Sequence, residues 1–443
     1  MTRPALRLGV AGALATLLLP NATVLAQTRP VPSSDTLRLG ALQHAAEQTD
    51  RRAAQLELLT RQSALRLQSI RSERQPTLNA AASAQYLSDV PSLGAVIPGG
   101  RPIQSPAKDQ YDSYLTVREP LFDPTRAPRS AVEDATAAES AARVRSALFQ
   151  QRTLVNDAFF ALLQRDVQRD VITAALGDLD ARRAVARARV SNGTALPSEV
   201  LLLDAEIARR RQSLSELDAE RDAVRDVLAS LTGRAIPATA VLALPAGDTL
   251  LPSLSDPRAT LANRPEFAQF ARARDVIAAR QRVTSAQDQP RLSLFARTGY
   301  GRPGLNALGR QFDTYWNAGV QVDWSLWNWG RTRREVEAQS LQSRLIESDE
   351  AAFTDGITRA AISERGRITA LERSLAADDS IIALREQVLR EARLRFDEGE
   401  ATSADYVARL TEHSTAQLDR ELRRVRLSEA RARYLTILGQ EIR

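Results

Sequence analysis

The sequence predicts a mainly α chain with a small β part, built from a helix–strand–strand–helix unit that occurs twice. Three observations carry this. First, EPLFDPTR (Glu119–Arg126) is matched by WSLWNWGRT (Trp324–Thr332), and SNGTALPSEVLLLDAE (Ser191–Glu206) by DEGEATSADYVARLTE (Asp397–Glu412). Aligning Phe122 with Trp327 gives an offset of 205 residues, and Gly193 with Gly399 gives 206, the mark of a duplicated structural unit. Second, long stretches rich in Ala, Leu, Arg, Gln and Glu lack proline and read as helix. Third, four runs of about 10 residues alternate apolar and polar side chains.

The elements follow in chain order. Residues 1–26 read as an export signal: Arg3 and Arg7, the short apolar core Leu8–Leu19, and the small-residue site Val24-Leu25-Ala26. A first repeat spans 27–232, a Pro-punctuated linker 233–257, and a second repeat 258–443. In the first repeat, helix is expected over Thr36–Arg74, Ser130–Val190 and Ser198–Leu231, with strands at about 77–87 and 111–119. In the second, helix is expected over Arg258–Gln289, Arg331–Phe396 and Thr402–Leu438, with strands at about 291–300 and 315–326. A helix of about 60 residues is roughly 90 Å long. Ile368, Leu371, Leu375, Ile382 and Leu389 mark a coiled-coil-like seam along the second long helix. Such a rod needs neighbours to cover that seam.

In 315–326, Trp316, Ala318, Val320, Val322, Trp324 and Leu326 alternate with Tyr315, Asn317, Gly319, Gln321, Asp323 and Ser325. The other three runs repeat the pattern, with Phe295 an exception in the third. The runs have the length of a tilted membrane-spanning strand. All four tryptophans, Trp316, Trp324, Trp327 and Trp329, lie in or just past the last run; they read either as an interfacial aromatic belt or as core residues. Four strands cannot close a barrel, and open edges in lipid leave backbone groups unpaired. Membrane strands would therefore require oligomerisation: two chains give 8 strands and a filled interior, three give 12 and a lumen.

Composition removes other classes. The chain has no cysteine, so disulfides and thiolate chemistry are excluded, and His44 and His413 stand alone in helical stretches. The net charge of +6 is spread over arginines, with Lys108 the single lysine, and forms no nucleic-acid patch. No phosphate loop, nucleophile elbow, metal-ligand cluster or paired catalytic constellation is present, so neither an enzyme nor a cofactor is expected.

The duplicated unit resembles the TolC family of outer-membrane efflux proteins, the outer membrane factors. The residues carrying this are Asn263-Arg264-Pro265-Glu266, Gln289-Pro290-Arg291-Leu292-Ser293-Leu294, the turns Pro120-Leu121-Phe122-Asp123 and Leu326-Trp327-Asn328-Trp329-Gly330-Arg331, and the paired tips at Asn192-Gly193 and Glu398-Gly399. The resemblance covers essentially the whole mature chain. It implies a homotrimer with a 12-stranded β-barrel in outer-membrane lipid, continuous with a long periplasmic α-helical barrel. It implies a passive exit duct of a tripartite efflux or type I secretion system, driven by an inner-membrane transporter through a periplasmic adaptor protein. The adaptor would dock at the tips, around Val190, Asn192, Gly193, Glu398 and Gly399. Asp405 matches a family position at the pore constriction and Glu199 is its counterpart in the first repeat; Asp405 also reads as an ordinary helix N-terminal acid. Ala408 and Ala401 stand where the family has a further acid and a gating arginine. Ser198 and Thr402 or Ser403 suit helix caps. The competing expectation is a periplasmic coiled-coil scaffold or adaptor without a pore.

Overall fold

The computed structural model describes residues 36–90, 105–245, 251–253, 257–306 and 309–442. The expected export signal lies outside the described residues, as do parts of the linker and residues 91–104 between the two strands expected in the first repeat. Among the described residues the chain order is β1 (Thr36–Leu37), α1 (Leu39–Thr49), α2 (Ala53–Ser72), β2 (Thr77–Tyr86), β3 (Asp109–Phe122), α3 (Arg126–Phe149), α4 (Gln151–Ser191) and α5 (Pro197–Thr232). Then follow β4 (Val241–Leu242), α6 (Pro257–Leu261), α7 (Pro265–Ala286), β5 (Arg291–Arg302), β6 (Asp313–Asp323), α8 (Arg331–Glu398) and α9 (Ser403–Ile437). Helix, strand pair, long helix and shorter helix thus occur twice. No described helix is long and apolar enough to cross a membrane.

The first repeat is more broken than its sequence suggests. Thr36–Arg74 is interrupted at Asp50, whose Oδ1 accepts the Arg52 backbone N–H at 2.8 Å, a local side-chain turn that competes with the helix. Ser130–Val190 breaks at Gln150, where the Gln150 N–H still bonds Ser146 O at 3.3 Å and Thr153 N–H bonds Gln150 O at 3.2 Å. No Gly or Pro marks that break. It falls where the helical neighbours change: α3 packs on α2 and α7, whereas α4 packs on α1, α5 and α9. In the second repeat the expected helix from Arg258 is divided before Pro265, which occupies a first-turn position where a missing N–H costs nothing.

Helix α8 runs 68 residues without a break, roughly 100 Å. Its buried line is Ala361, Glu364, Ile368, Asp378, Leu389 and Phe396, with Leu371 and Leu375 packed beside it. This is the expected seam, covered by α9. Two polar residues interrupt it: Asp378 receives Arg423 Nη1 from α9 on both carboxylate oxygens at 2.5 and 2.6 Å, and Glu364 faces Arg367 of its own helix at 3.6 Å. Three apolar clusters hold the helices together. One gathers Leu39, Leu42, Phe159, Phe160 and Leu228 around the short parallel pair of β1 with β4. A second joins Leu261, Ile368 and Tyr434; the third lies under the helix tips.

The order of helices differs along α8. Near the four-stranded sheet it is α2-α3-α7-α8; towards the tips it is α5-α4-α9-α8. Leu58 and Leu65 on α2, Leu201 and Val227 on α5, and Leu341, Leu345, Leu384 and Leu394 on α8 are exposed leucines and valines on the outermost helices.

Ile368→Ala, at a site 2 % exposed, is expected to cost about 2–5 kcal/mol through the cavity it leaves in the seam. A thermal melt followed by far-ultraviolet circular dichroism checks this.

Candidate functional site

The four longer strands form one antiparallel sheet in the order β2-β3-β5-β6. Its central pair joins the two repeats, β3 to β5, with Val117 opposite Ala296 and Leu115 opposite Thr298. The register puts Leu78, Ala80 and Ala82 with Leu115 and Val117, then Leu292, Leu294 and Ala296 with Ala318, Val320 and Val322, all on one face. That face is bare: Leu78, Leu115, Val117, Leu294, Val320 and Val322 are all exposed. The opposite face carries Asn79, Ser83, Gln85, Gln110, Asp112, Thr116, Ser293, Arg297, Asn317 and Gln321. Phe295, the exception in the alternation, lies on this polar face against the Cα of Gly319, where an added Cβ would sit 3.1 Å from the ring. Every residue of β2 is exposed, and among the described residues the outer edges of β2 and β6 pair with nothing.

The tryptophans mark both ends of β6. Trp316 stands near its start, on the apolar face; Trp324, Trp327 and Trp329 lie past its end, all four 58–79 % exposed. At the hairpin end Trp316 is joined by a cluster the sequence left unremarked: Phe312 stacks on Tyr300 at 5.5 Å and contacts Tyr111 at 5.8 Å, with Arg302 5.3 Å above the Phe312 ring. At the helix end Asp288 builds the turn. Its backbone carbonyl accepts Trp324 Nε1–H at 3.1 Å, and its carboxylate accepts Asn328 Nδ2–H and the Thr332 hydroxyl, both at 2.8 Å. This fixes Trp327 and Trp329 edge to face, 5.8 Å apart.

The tips lie at the other end of the long helices. Gly193 and Gly399 have φ of +73° and +87°, the left-handed geometry that ends α4 and α8. The caps that follow differ. Thr402 caps α9 in a capping box: its hydroxyl accepts the Asp405 N–H at 3.2 Å, while Asp405 accepts the Thr402 hydroxyl at 2.7 Å and backbone N–H at 3.3 Å. In the first tip Ser198 does not cap. Leu196 holds the N-cap position and Pro197 the first turn, which leaves Ser198 inside the helix.

Asp405 is therefore exposed and helix-capping, and the hydrogen bonds from Thr402 hold its carboxyl below the usual range. Glu199 serves the opposite repeat: its Oε2 accepts the Ser403 backbone N–H at 2.5 Å, across 204 residues of sequence. Further contacts bind tip to tip. Arg189 Nη1 donates to Phe396 O at 2.9 Å and lies against Gly399; Arg182 pairs with Asp397. Asp178 on α4 accepts both Arg393 from α8 and the Tyr406 hydroxyl from α9. Tyr406 is fully buried beside Phe396, and burial, with the Asp178 contact next, pushes its phenol above the ordinary value. Asp178, Arg189 and Tyr406 were not singled out by sequence, because each acts on a residue about 200 positions away. At the surface the tips differ: Arg187, Val190, Ser191, Pro197, Val200 and Leu201 line a mostly apolar groove beside Asn192, whereas Asp397, Glu398 and Glu400 make the second tip acidic. No group of three or more metal-ligating side chains exists among the described residues.

No protein-family model and no curated protein matches this chain. Solved structures do match, over nearly the whole length. CusC, solved in a study of transmembrane channel formation, superposes with a TM-score of 0.67 at 13 % identity, covering 91 % of this chain and 92 % of CusC. The outer membrane protein VceC of Vibrio cholerae gives 0.63 at 17 % identity, covering 91 % and 97 %. The open state of the MtrE outer membrane channel of Neisseria gonorrhoeae gives 0.63 at 18 %, covering 91 % and 89 %. The chain thus has the fold of outer-membrane channel proteins, mainly helical with a small sheet.

Two outcomes are expected at the tips. Tyr406→Phe removes one of the two donors on Asp178 and costs about 1–3 kcal/mol in a denaturant melt. Burial holds the His413 imidazole below its ordinary value, so the neutral form is favoured in the fold. That contribution is complete above about pH 6.5 and is lost as pH falls below it. His413→Gln should flatten this part of the stability–pH curve.

Proposed function

We propose that this protein is an outer-membrane exit duct of a tripartite efflux or type I secretion system. The observation that carries the proposal is the sheet: one face apolar and bare, one face polar, both edges open, joined directly to α8, which is roughly 100 Å long, and to the broken pair α3 and α4. A bare apolar face of this extent needs a cover. Lipid covers it, the polar face lines water, and neighbouring copies pair the edges. Three copies give twelve strands and a lumen. The exposed leucines of α2, α5 and α8 are then covered by the next subunit in the same rotation that closes the sheet.

In this reading the aromatic residues form two belts. Tyr111, Tyr300, Phe312 and Trp316 take the extracellular interface; Trp324, Trp327 and Trp329 take the periplasmic one. Trp324 stands eight positions after Trp316, about 26 Å along the strand and, after a tilt of ~40°, roughly 20 Å across the membrane, close to the apolar band of such barrels. The helices cross the periplasm. The tips at Val190, Asn192, Gly193, Glu398 and Gly399 receive a periplasmic adaptor, with the apolar groove on the first tip and the acids on the second as its contacts. An inner-membrane transporter supplies energy. Asp405 and Glu199 stand at the periplasmic entrance, where Asp405 would ring the constriction and Glu199 tie the two tips together. A pore-free periplasmic scaffold accounts for the helices and leaves the two-faced sheet without a role.

The protein is expected to fractionate with the outer membrane and to migrate as a detergent-resistant trimer. Recovery as a lipid-free soluble monomer would sink the proposal. Within it, Asp405→Ala should change single-channel conductance, and unchanged conductance removes Asp405 from the constriction.

A further inference from the structure

The polar face of the sheet carries a cluster that neither the tips nor the belts use. Asp112 on β3, in the first repeat, accepts two hydrogen bonds from the second: Arg297 Nη2 on β5 at 2.5 Å and the Tyr315 hydroxyl on β6 at 2.6 Å. The Arg297 guanidinium lies over the Tyr114 ring, 3.3 Å from its centroid, and 5.6 Å from that of Tyr315. Its Nε is shielded from solvent and has no partner among the described residues.

The register shows how the group is built. Tyr114, Gly299 and Tyr315 form one row across β3, β5 and β6, and Thr116, Arg297 and Asn317 form the next. Gly299 is the gap that lets Tyr315 lie flat: a Cβ there would stand 2.6 Å from the phenol Cζ and oxygen. Tyr315 is only 9 % exposed on a sheet most of whose residues are open. Arg297 reaches past the tyrosine row to Asp112. The result is a plate of one ion pair and two aromatic rings, fixed near mid-sheet and still about one-third open to solvent at both charges.

We propose that the Arg297–Asp112 pair keeps the barrel lumen from selecting ions by the sign of their charge, as a charge-balanced band separate from the tip entrance. This rests on the duct reading above. Strands ~4.8 Å apart, tilted by ~40°, close twelve-fold on a backbone radius of roughly 12 Å. The inward Tyr114, Tyr315, Phe295 and Arg297 narrow that bore. Three copies place three guanidiniums and three carboxylates on one level, and rings of fixed charge set ion preference in such pores. Because each arginine is matched by an aspartate, the intact band favours neither sign. Removing one partner leaves three like charges on the wall.

The test is a two-by-two set of variants in planar bilayers under a salt gradient: intact protein, Arg297→Gln, Asp112→Asn, and both together. Arg297→Gln is expected to raise the cation-to-anion permeability ratio, and Asp112→Asn to lower it, each by on the order of three-fold at low salt, where screening is weakest. The double variant should return to the intact value. Equal ratios in all four overturn the inference. A second measurement does not need those variants to assemble. The chain has no cysteine, so Asn317→Cys, the cross-strand neighbour of Arg297, can be labelled without background. In an assembled trimer it should react with membrane-impermeant thiol reagents while Ala318→Cys, on the opposite face, does not. Protection of Asn317→Cys in a conducting trimer overturns the placement of the band. An intact protein that neither assembles nor conducts overturns the duct reading itself.

Discussion

The constraint on which the structure turns is the backbone of two strands. β2 and β6 each satisfy one side of their ladder within the chain and leave the other open among the described residues. In water such an edge invites pairing with another chain. In lipid each unpaired group costs several kcal/mol, so the edges must be joined. The apolar face sharpens the requirement: the side chains that suit the sheet to lipid are those that forbid it an open edge there. The helices repeat the problem in milder form, since the outermost ones carry bare leucines that a neighbouring helix would cover.

Within one chain the duplication is put to a structural use. The repeats meet at three levels: β3 against β5 in the sheet, α3 against α7 below it, and α4 against α9 near the tips. At the sheet and at the tips the junction carries buried or half-buried polar contacts rather than packing alone. Asp112 receives Arg297 and Tyr315 at one end; Asp178 receives Arg393 and Tyr406 at the other. Such groups are costly to leave unpaired, so they fix register between elements about 200 residues apart in sequence. The remaining ion pairs are mostly exposed, and each adds ~1 kcal/mol or less.

Much of this was legible in the sequence. The seam of α8 and the alternation of β5 and β6 are local patterns, and the register kept the alternating apolar residues within the strands on one face, while Trp324 and Leu326 of the expected run lie past the end of β6. The tips were legible through Gly193 and Gly399, because a left-handed residue ending a helix is a local demand. What was not legible depends on distant neighbours. The break at Gln150 has no sequence signal and follows from a change of packing partners. Phe295 departs from the alternation because Gly319, on the next strand, makes room for it. Ser198 is set aside as a cap by Pro197 beside it, a local conflict that proline wins by its fixed φ. Glu199 caps the other repeat, which no spacing within its own helix discloses.

The central claim is that copies of this chain pair β6 of one with β2 of the next and close after three. Cysteines at Ala82 and Ala318, mid-strand on β2 and β6 in this cysteine-free chain, test it with a thiol cross-linker shorter than about 10 Å. Three strand spacings separate the two edges within one subunit, roughly 14 Å, so the reagent can join only different subunits. The account predicts covalent dimers and trimers on a denaturing gel, with nothing larger. Absence of cross-linked species in membranes, or a ladder that continues beyond three, would contradict it.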